Sequence, residues 1–136
     1  MSFQLTFEHR VGYDAGKAGI TLPVTLRLNE KLVEGEAKID TGATFSIFAR
    51  QIGQDLGLEI ETGIRRLVGT VTGTFDVYLH EVTLSLLGTE LDVLAGFAAD
   101  EAFQRNVLGR RGFLDQMVLG IVDYEGELYL RQYNNG

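Results

Sequence analysis

Between Leu22 and Ile39 the apolar residues fall on alternate positions, and this period of two constrains the fold more than any other feature of the chain. Leu22, Val24, Leu26 and Leu28 alternate with Pro23, Thr25 and Arg27; after a turn at Asn29-Glu30-Lys31, Val33, Gly35, Ala37 and Ile39 alternate with Glu34, Glu36 and Lys38. Successive side chains of a strand point to opposite faces, so the pattern predicts a β-hairpin with one buried face. Further extended segments are expected at Ile64 to Val68 and at Phe75 to Leu87, where Phe75, Val77 and Leu79 alternate with polar residues before Val82, Leu84 and Leu86 resume the pattern. Leu91 to Leu94, Met117 to Val122 and Glu127 to Arg131 complete the set, the last entered through an Asp123-Tyr124-Glu125-Gly126 turn. Helical signal is confined to Ala49 to Leu56, stopped by Gly57, a short turn at Arg111 to Gln116 and a weaker segment at Asp100 to Gln104. Many short strands, 17 glycines and little helix predict a closed or sandwiched all-β domain.

A chain of 136 residues, 45% hydrophobic and 23% charged, is expected to form one globular domain over residues 1–136. Its first twenty residues, with Gly12, Gly16 and Gly19, read as a loosely patterned lead-in of one more strand and a loop. A formal charge of −7 offers no basic footprint for a phosphate backbone, which argues against a nucleic-acid partner. Without cysteine there is no disulfide, thiolate nucleophile or cysteine metal site. The opening MSFQLTFEHR lacks the apolar stretch of a signal peptide, and no apolar run approaches the roughly 18 residues of a membrane span. A soluble, cytoplasmic protein with no membrane partner is expected.

Several chemistries fail on spacing. Val11 to Gly19, VGYDAGKAG, has the look of a phosphate loop, but Gly12 and Gly16 are one residue too close and Ala18 stands where Ser or Thr would hold magnesium. His9 and His80 are distant in sequence and have no cysteine to join them, so no metal site and no cofactor is expected. Ser2, Ser46 and Ser85 lie outside any G-x-S-x-G context, which leaves carboxylate chemistry.

One carboxylate stands out. Asp40 follows directly on the apolar alternation of the second hairpin strand, where burying a charge costs several kcal/mol unless neighbours compensate or a reaction uses it. Asp40-Thr41-Gly42 is by itself respectable turn chemistry, the aspartate capping its own loop. Its surroundings sharpen it: the segment continues as Ala43-Thr44 and Ser46-Ile47, and much later comes NVLGRRGFL, Asn106 to Leu114, two apolar residues and a glycine leading into a short helical turn. In these marks the sequence resembles the retropepsin-like aspartic proteases, which carry Asp-Thr-Gly-Ala at a strand end and a hydrophobic-hydrophobic-Gly-Arg segment before a helix. Between the marks, Arg65 to Thr74 occupies the place of the family's glycine-tipped flap. The resemblance covers Leu22 to Leu130 and departs at Arg111, where the family usually has Asp or Asn.

The resemblance implies a closed, retropepsin-like β-barrel with one or two short helices. It also implies a homodimeric aspartic endopeptidase in which water, activated between two Asp40 carboxyls, hydrolyses an extended polypeptide. Thr41, Gly42 and Ala43 would support the active-site loop; Gly69, Thr70, Val71, Thr72 and Gly73 would form the flap; Leu108, Gly109 and Arg110 would brace the loop from below. Arg111 implies that the pairing of Arg110 is rewired. Phe45, Phe48, Phe97, Phe103 and Phe113 read as core or dimer contacts, and Tyr129 and Tyr133 as candidates for a sheet between subunits. The alternatives carried beside this are a catalytically silent dimer of the same fold that binds a peptide or protein, an unrelated all-β interaction domain in which Asp40 is only a turn residue, an ordinary hairpin turn at Gly69 to Gly73, and a solvated helix start at Arg110-Arg111.

Overall fold

The computed structural model describes residues 1–134. Among these residues are ten strands: β1 His9–Gly12, β2 Thr21–Leu28, β3 Lys31–Ile39, β4 Ile47–Phe48, β5 Ile64–Thr70, β6 Gly73–Leu86, β7 Thr89–Ala98, β8 Val107–Leu108, β9 Met117–Val122 and β10 Glu127–Gln132. One α-helix, α1, spans Arg50–Asp55. The expected hairpin is β2–β3, paired from Thr21↔Lys38 to Leu28↔Lys31, with Asn29 at φ 56° in the turn. Asparagine tolerates that left-handed conformation better than most residues.

Seven strands form one sheet in the order β2-β3-β8-β4-β7-β6-β5, and β2 also pairs with β6 through Leu26↔Leu84 and its neighbours. The sheet thus closes on itself, with β5 leaning outward on β6. Closure leaves few free edges, which suits a chain of short strands. The main core includes Leu22, Val24, Leu26, Phe48, Leu84, Leu91, Phe97, Leu108 and Phe113. Phe48 and Phe97 lie 5.9 Å apart between ring centroids.

β6 uses its two faces in turn. Val77 and Leu79 join Ile47 and Val107 in a second, smaller cluster, whereas Val82, Leu84 and Leu86 face the main core. Its register against β7 runs unbroken from Val77↔Ala98 to Leu86↔Thr89. The change of phase at His80-Glu81 is therefore a strand passing between two cores, with no bulge. His80 is half-buried there, its Nε2 2.8 Å from the Ile60 carbonyl oxygen.

The helical expectations need correction at two places. Arg111 to Gln116 yields only a 3-10 turn at Leu114–Gln116, because Gly112 at φ +97° interrupts the chain after Arg111. Asp100 to Gln104 is not helical: the Asp100 carboxylate accepts the Ala102 N–H at 2.8 Å and holds a single turn. Ala49 to Leu56 does form α1, which ends at Leu56 before Gly57 at φ +83°. Arg50 anchors that helix to Glu61 through two hydrogen bonds of 2.8 and 2.6 Å. The Arg50 guanidinium holds the Glu61 carboxyl below its usual range, so this contribution is present at neutral pH and lost on acidification.

The lead-in supplies β1, which joins β10 and β9 in a three-stranded sheet of order β1-β10-β9. Leu128 and Leu130 of β10 are buried in the main core. Tyr13, just after β1, donates from its hydroxyl to Asp123 at 2.6 Å. Chiefly through that hydrogen bond its pKa is pushed from 10.0 up to about 12. The contact therefore stabilises the fold below pH 10.0 and is lost as pH rises toward about 12. Asp123→Asn is expected to return this titration toward 10.0, measured as tyrosinate absorbance with Tyr13→Phe as the subtraction control. A Tyr13 that still ionises near 12 in the variant would show another cause.

Candidate active site

β3 delivers Asp40. Its last residues pair in parallel with β8, Lys38 with Val107 and Ile39 with Leu108, and the Asp40 N–H donates to the Leu108 carbonyl at 3.0 Å. The chain then turns: Asp40 Oδ1 accepts the Gly42 N–H at 2.9 Å and the Asp40 carbonyl accepts the Ala43 N–H at 3.2 Å. Asp40 is half-buried, while Thr41 and Gly42 are exposed at the apex. Among the described residues the Thr41 hydroxyl has no hydrogen-bond partner. A side chain at Gly42 would place its Cβ 3.3 Å from Asp40 Oδ1, crowding the carboxylate.

Beneath the loop, the segment after β8 runs almost in contact with it. Arg110 N–H donates to the Ala43 carbonyl at 2.9 Å, Arg111 N–H to Thr44 at 2.8 Å, and Ser46 N–H to Arg111 at 2.9 Å. Gly109 N–H donates to the buried Ser46 Oγ at 3.1 Å. Leu108 is fully buried below. Arg110 meets the loop through its backbone N–H, while the residue is exposed and its guanidinium forms no ion pair among the described residues. Arg111 sets its guanidinium carbon 6.0 Å from the centroid of the Phe45 ring.

A cleft of about 390 Å³ opens over the loop. Asp40, Gly42, Ala43 and Thr44 form its floor, and Phe45, Ile47 and Val107 one apolar wall. Leu67, Val68, Gly69, Thr70 and Phe75 of the β5–β6 hairpin overhang it, and Phe103 and Arg105 close its far side. Phe75 and Phe103 stack at 4.8 Å. The hairpin turns at Val71-Thr72, held by Thr70 Oγ1 donating to the Gly73 carbonyl at 3.0 Å. Gly69 and Thr70 thus reach the Asp40 cleft, whereas Thr72 and Gly73 line an adjoining groove against the Asp100 to Arg105 loop. Val71 is fully exposed at the tip.

Of the five phenylalanines read as core or dimer contacts, Phe48, Phe97 and Phe113 are core. Phe45 and Phe103 instead line the cleft, where a half-buried ring faces both the second cluster and open space. Tyr129 lies in β10, the middle strand of its sheet. Its backbone is paired with Arg10 on one side and Gly120 on the other, its ring is 5.7 Å from Phe7 and its hydroxyl donates to Glu127 at 2.7 Å. Arg105 is not among the residues expected from the sequence, where Asn106 and Ser46 stand only as parts of the two motifs. Asn106 binds the Ala49 N–H and the Glu36 carbonyl at 3.0 and 3.1 Å, tying α1 to β3 beside the cleft. Alternation of Phe103, Arg105 and Val107 was the available signal for the cleft-facing residues.

A closed β-sheet, one aspartate turn braced by a glycine segment and an overhanging hairpin together define a retropepsin-like molecule. The sequence model of the family described as Aspartyl protease matches residues 24–121, and the chain belongs to that family. Among solved structures it is similar to EIAV protease complexed with the inhibitor HBY-793. That likeness has 21% sequence identity and a TM-score of 0.57, over 74% of this chain and 88% of the other. This agrees with the mostly β, retropepsin-like fold expected from the sequence. No curated protein matches the chain significantly.

Proposed function

We propose that the protein is an aspartic endopeptidase that acts as a homodimer on extended polypeptide. The observation that carries this is the single Asp40 on an exposed, braced turn at the floor of a cleft overhung by a hairpin. One carboxylate cannot serve at once as base and as acid, and a second copy related by a two-fold axis supplies the other. β10 is already paired on both sides, so the subunits meet through their Asp40 loops and through other surfaces than that strand.

Two carboxyls at hydrogen-bonding distance share one proton, a rule for which aspartic proteases are themselves the standard instance. The ionised Asp40 takes a proton from water as its oxygen attacks the peptide carbonyl carbon. The protonated Asp40 hydrogen-bonds the carbonyl oxygen, and when the C–N bond breaks a proton passes to the leaving amine. No covalent intermediate forms. The unpartnered Thr41 hydroxyl reaches the other subunit's loop, and Gly42 and Ala43 leave room for substrate backbone, which lies as an added strand. The hairpin around Gly69 to Gly73 closes over it. Leu108 to Arg110 hold the loop from beneath.

The test is cleavage of an unfolded polypeptide from about pH 4 to 7, at dimer-forming concentration, by the wild type and by Asp40→Asn. Cleavage that disappears with the substitution supports the reading; cleavage that persists overturns it. No cleavage by either protein, with the dimer intact, would favour a peptide-binding module of the same fold.

A further inference from the structure

Arg105 has no place in the hydrolytic step, yet it lines the Asp40 cleft. Phe103, Arg105 and Val107 fall on alternate positions leading into β8, and all three line that cleft. The segment is pinned immediately afterwards: Lys38 N–H donates to the Asn106 carbonyl at 2.9 Å, and the Asn106 side chain is fixed at both ends. A charge therefore stands between two apolar residues that line the cleft, next to the pinned Asn106. Asp40 and Arg105 are the charged groups lining the cleft, among apolar side chains such as Phe45, Ile47, Phe75 and Phe103.

Among the described residues nothing neutralises this charge. Arg105 is exposed and takes part in no ion pair among the described residues. Arg65, on the overhanging hairpin, is by contrast bound to Asp76 at 2.9 Å. The nearby Asp100 carboxylate is engaged by the Ala102 N–H. An exposed guanidinium engaged in no ion pair keeps its donors available, and a carboxylate brought to it forms a charge-assisted hydrogen bond stronger than a neutral one.

We propose that Arg105 is a specificity-determining residue that selects an acidic side chain, Asp or Glu, within about two residues of the scissile bond. This rests on reading the cleft as a polypeptide site. In the two-fold dimer one Arg105 flanks each side of that bond, so the preference extends to both. The overall charge of −7 repels acidic chains, which makes an acidic preference in the cut sites local in origin.

The experiment digests a mixed library of unstructured peptides and reads the residues around each cut. The wild type is expected to favour Asp and Glu over Lys and Arg by about tenfold near the cut. Arg105→Gln should flatten this preference, Arg105→Glu should invert it toward Lys and Arg, and Arg105→Lys should retain most of it. Cleavage without an acidic preference, or a preference that survives Arg105→Gln and Arg105→Glu, overturns the inference while leaving the peptidase reading intact. The same library is bound to Asp40→Asn and to Asp40→Asn/Arg105→Gln, which answers the question even if the wild type cuts nothing. Acidic peptides retained by the first protein and lost from the second support the role of Arg105 in a binding cleft; equal retention overturns it.

Discussion

Gly109→Ala is expected to destabilise the fold by about 3 kcal/mol or more, a large part of what holds a domain of this size together. The added Cβ would fall on the Phe45 carbonyl and 2.8 Å from the Ala43 carbonyl oxygen. These are backbone atoms, and they cannot swing away. Relieving the overlap would strain or break the Gly109 bond to Ser46, the Arg110 bond to Ala43 and the Arg111 bond to Thr44. Denaturant unfolding measures the loss as a lowered midpoint. The control is Gly69→Ala, where an added Cβ has nothing within 4 Å and stability should change by no more than about 0.5 kcal/mol. Equal midpoints for Gly109→Ala and wild type would mean that the two segments are not held against each other as described.

On the proposed peptidase reading, Asp40→Asn is expected to reduce turnover by roughly 10²- to 10⁴-fold, the usual contribution of a positioned acid or base. Folding is not at stake. The turn depends on an oxygen at Oδ1 accepting the Gly42 N–H, and asparagine keeps that oxygen. A variant with unchanged unfolding midpoint and abolished cleavage would place the loss in chemistry. Asp40→Ala removes the acceptor as well and should loosen the loop, so it is the less informative change.

The hairpin β2–β3, the turn at Asp40 and the glycine segment after β8 were legible in the sequence because each rests on local pattern. Period two fixes the buried face from Leu22 to Ile39, and the family marks fix Asp40 and Gly109. Less legible was β7, expected only over Leu91 to Leu94 although it runs on to Ala98. Ala95, Gly96, Phe97 and Ala98 are all buried, so the strand loses the alternation that reveals one-sided burial. The change of face along β6 depends on a second cluster assembled from Ile47 and Val107, distant in sequence. Phe45, Phe103 and Arg105 were obscure for the same reason: an alternating segment does not disclose whether its inner face meets packed core or an open cleft. The short turn at Leu114–Gln116 shows the opposite limit, since Gly112 governs it more than helical propensity does.

The measurement that bears most directly on the proposed carboxyl pair is the activity of mixed dimers. Wild type and Asp40→Asn are combined in equal amounts at constant total concentration, and subunit exchange is followed to completion by mass. If both Asp40 residues are needed, only dimers of two wild-type chains act, and about one quarter of the undiluted wild-type activity remains. If each subunit works alone, about one half remains, and the shared dyad is contradicted.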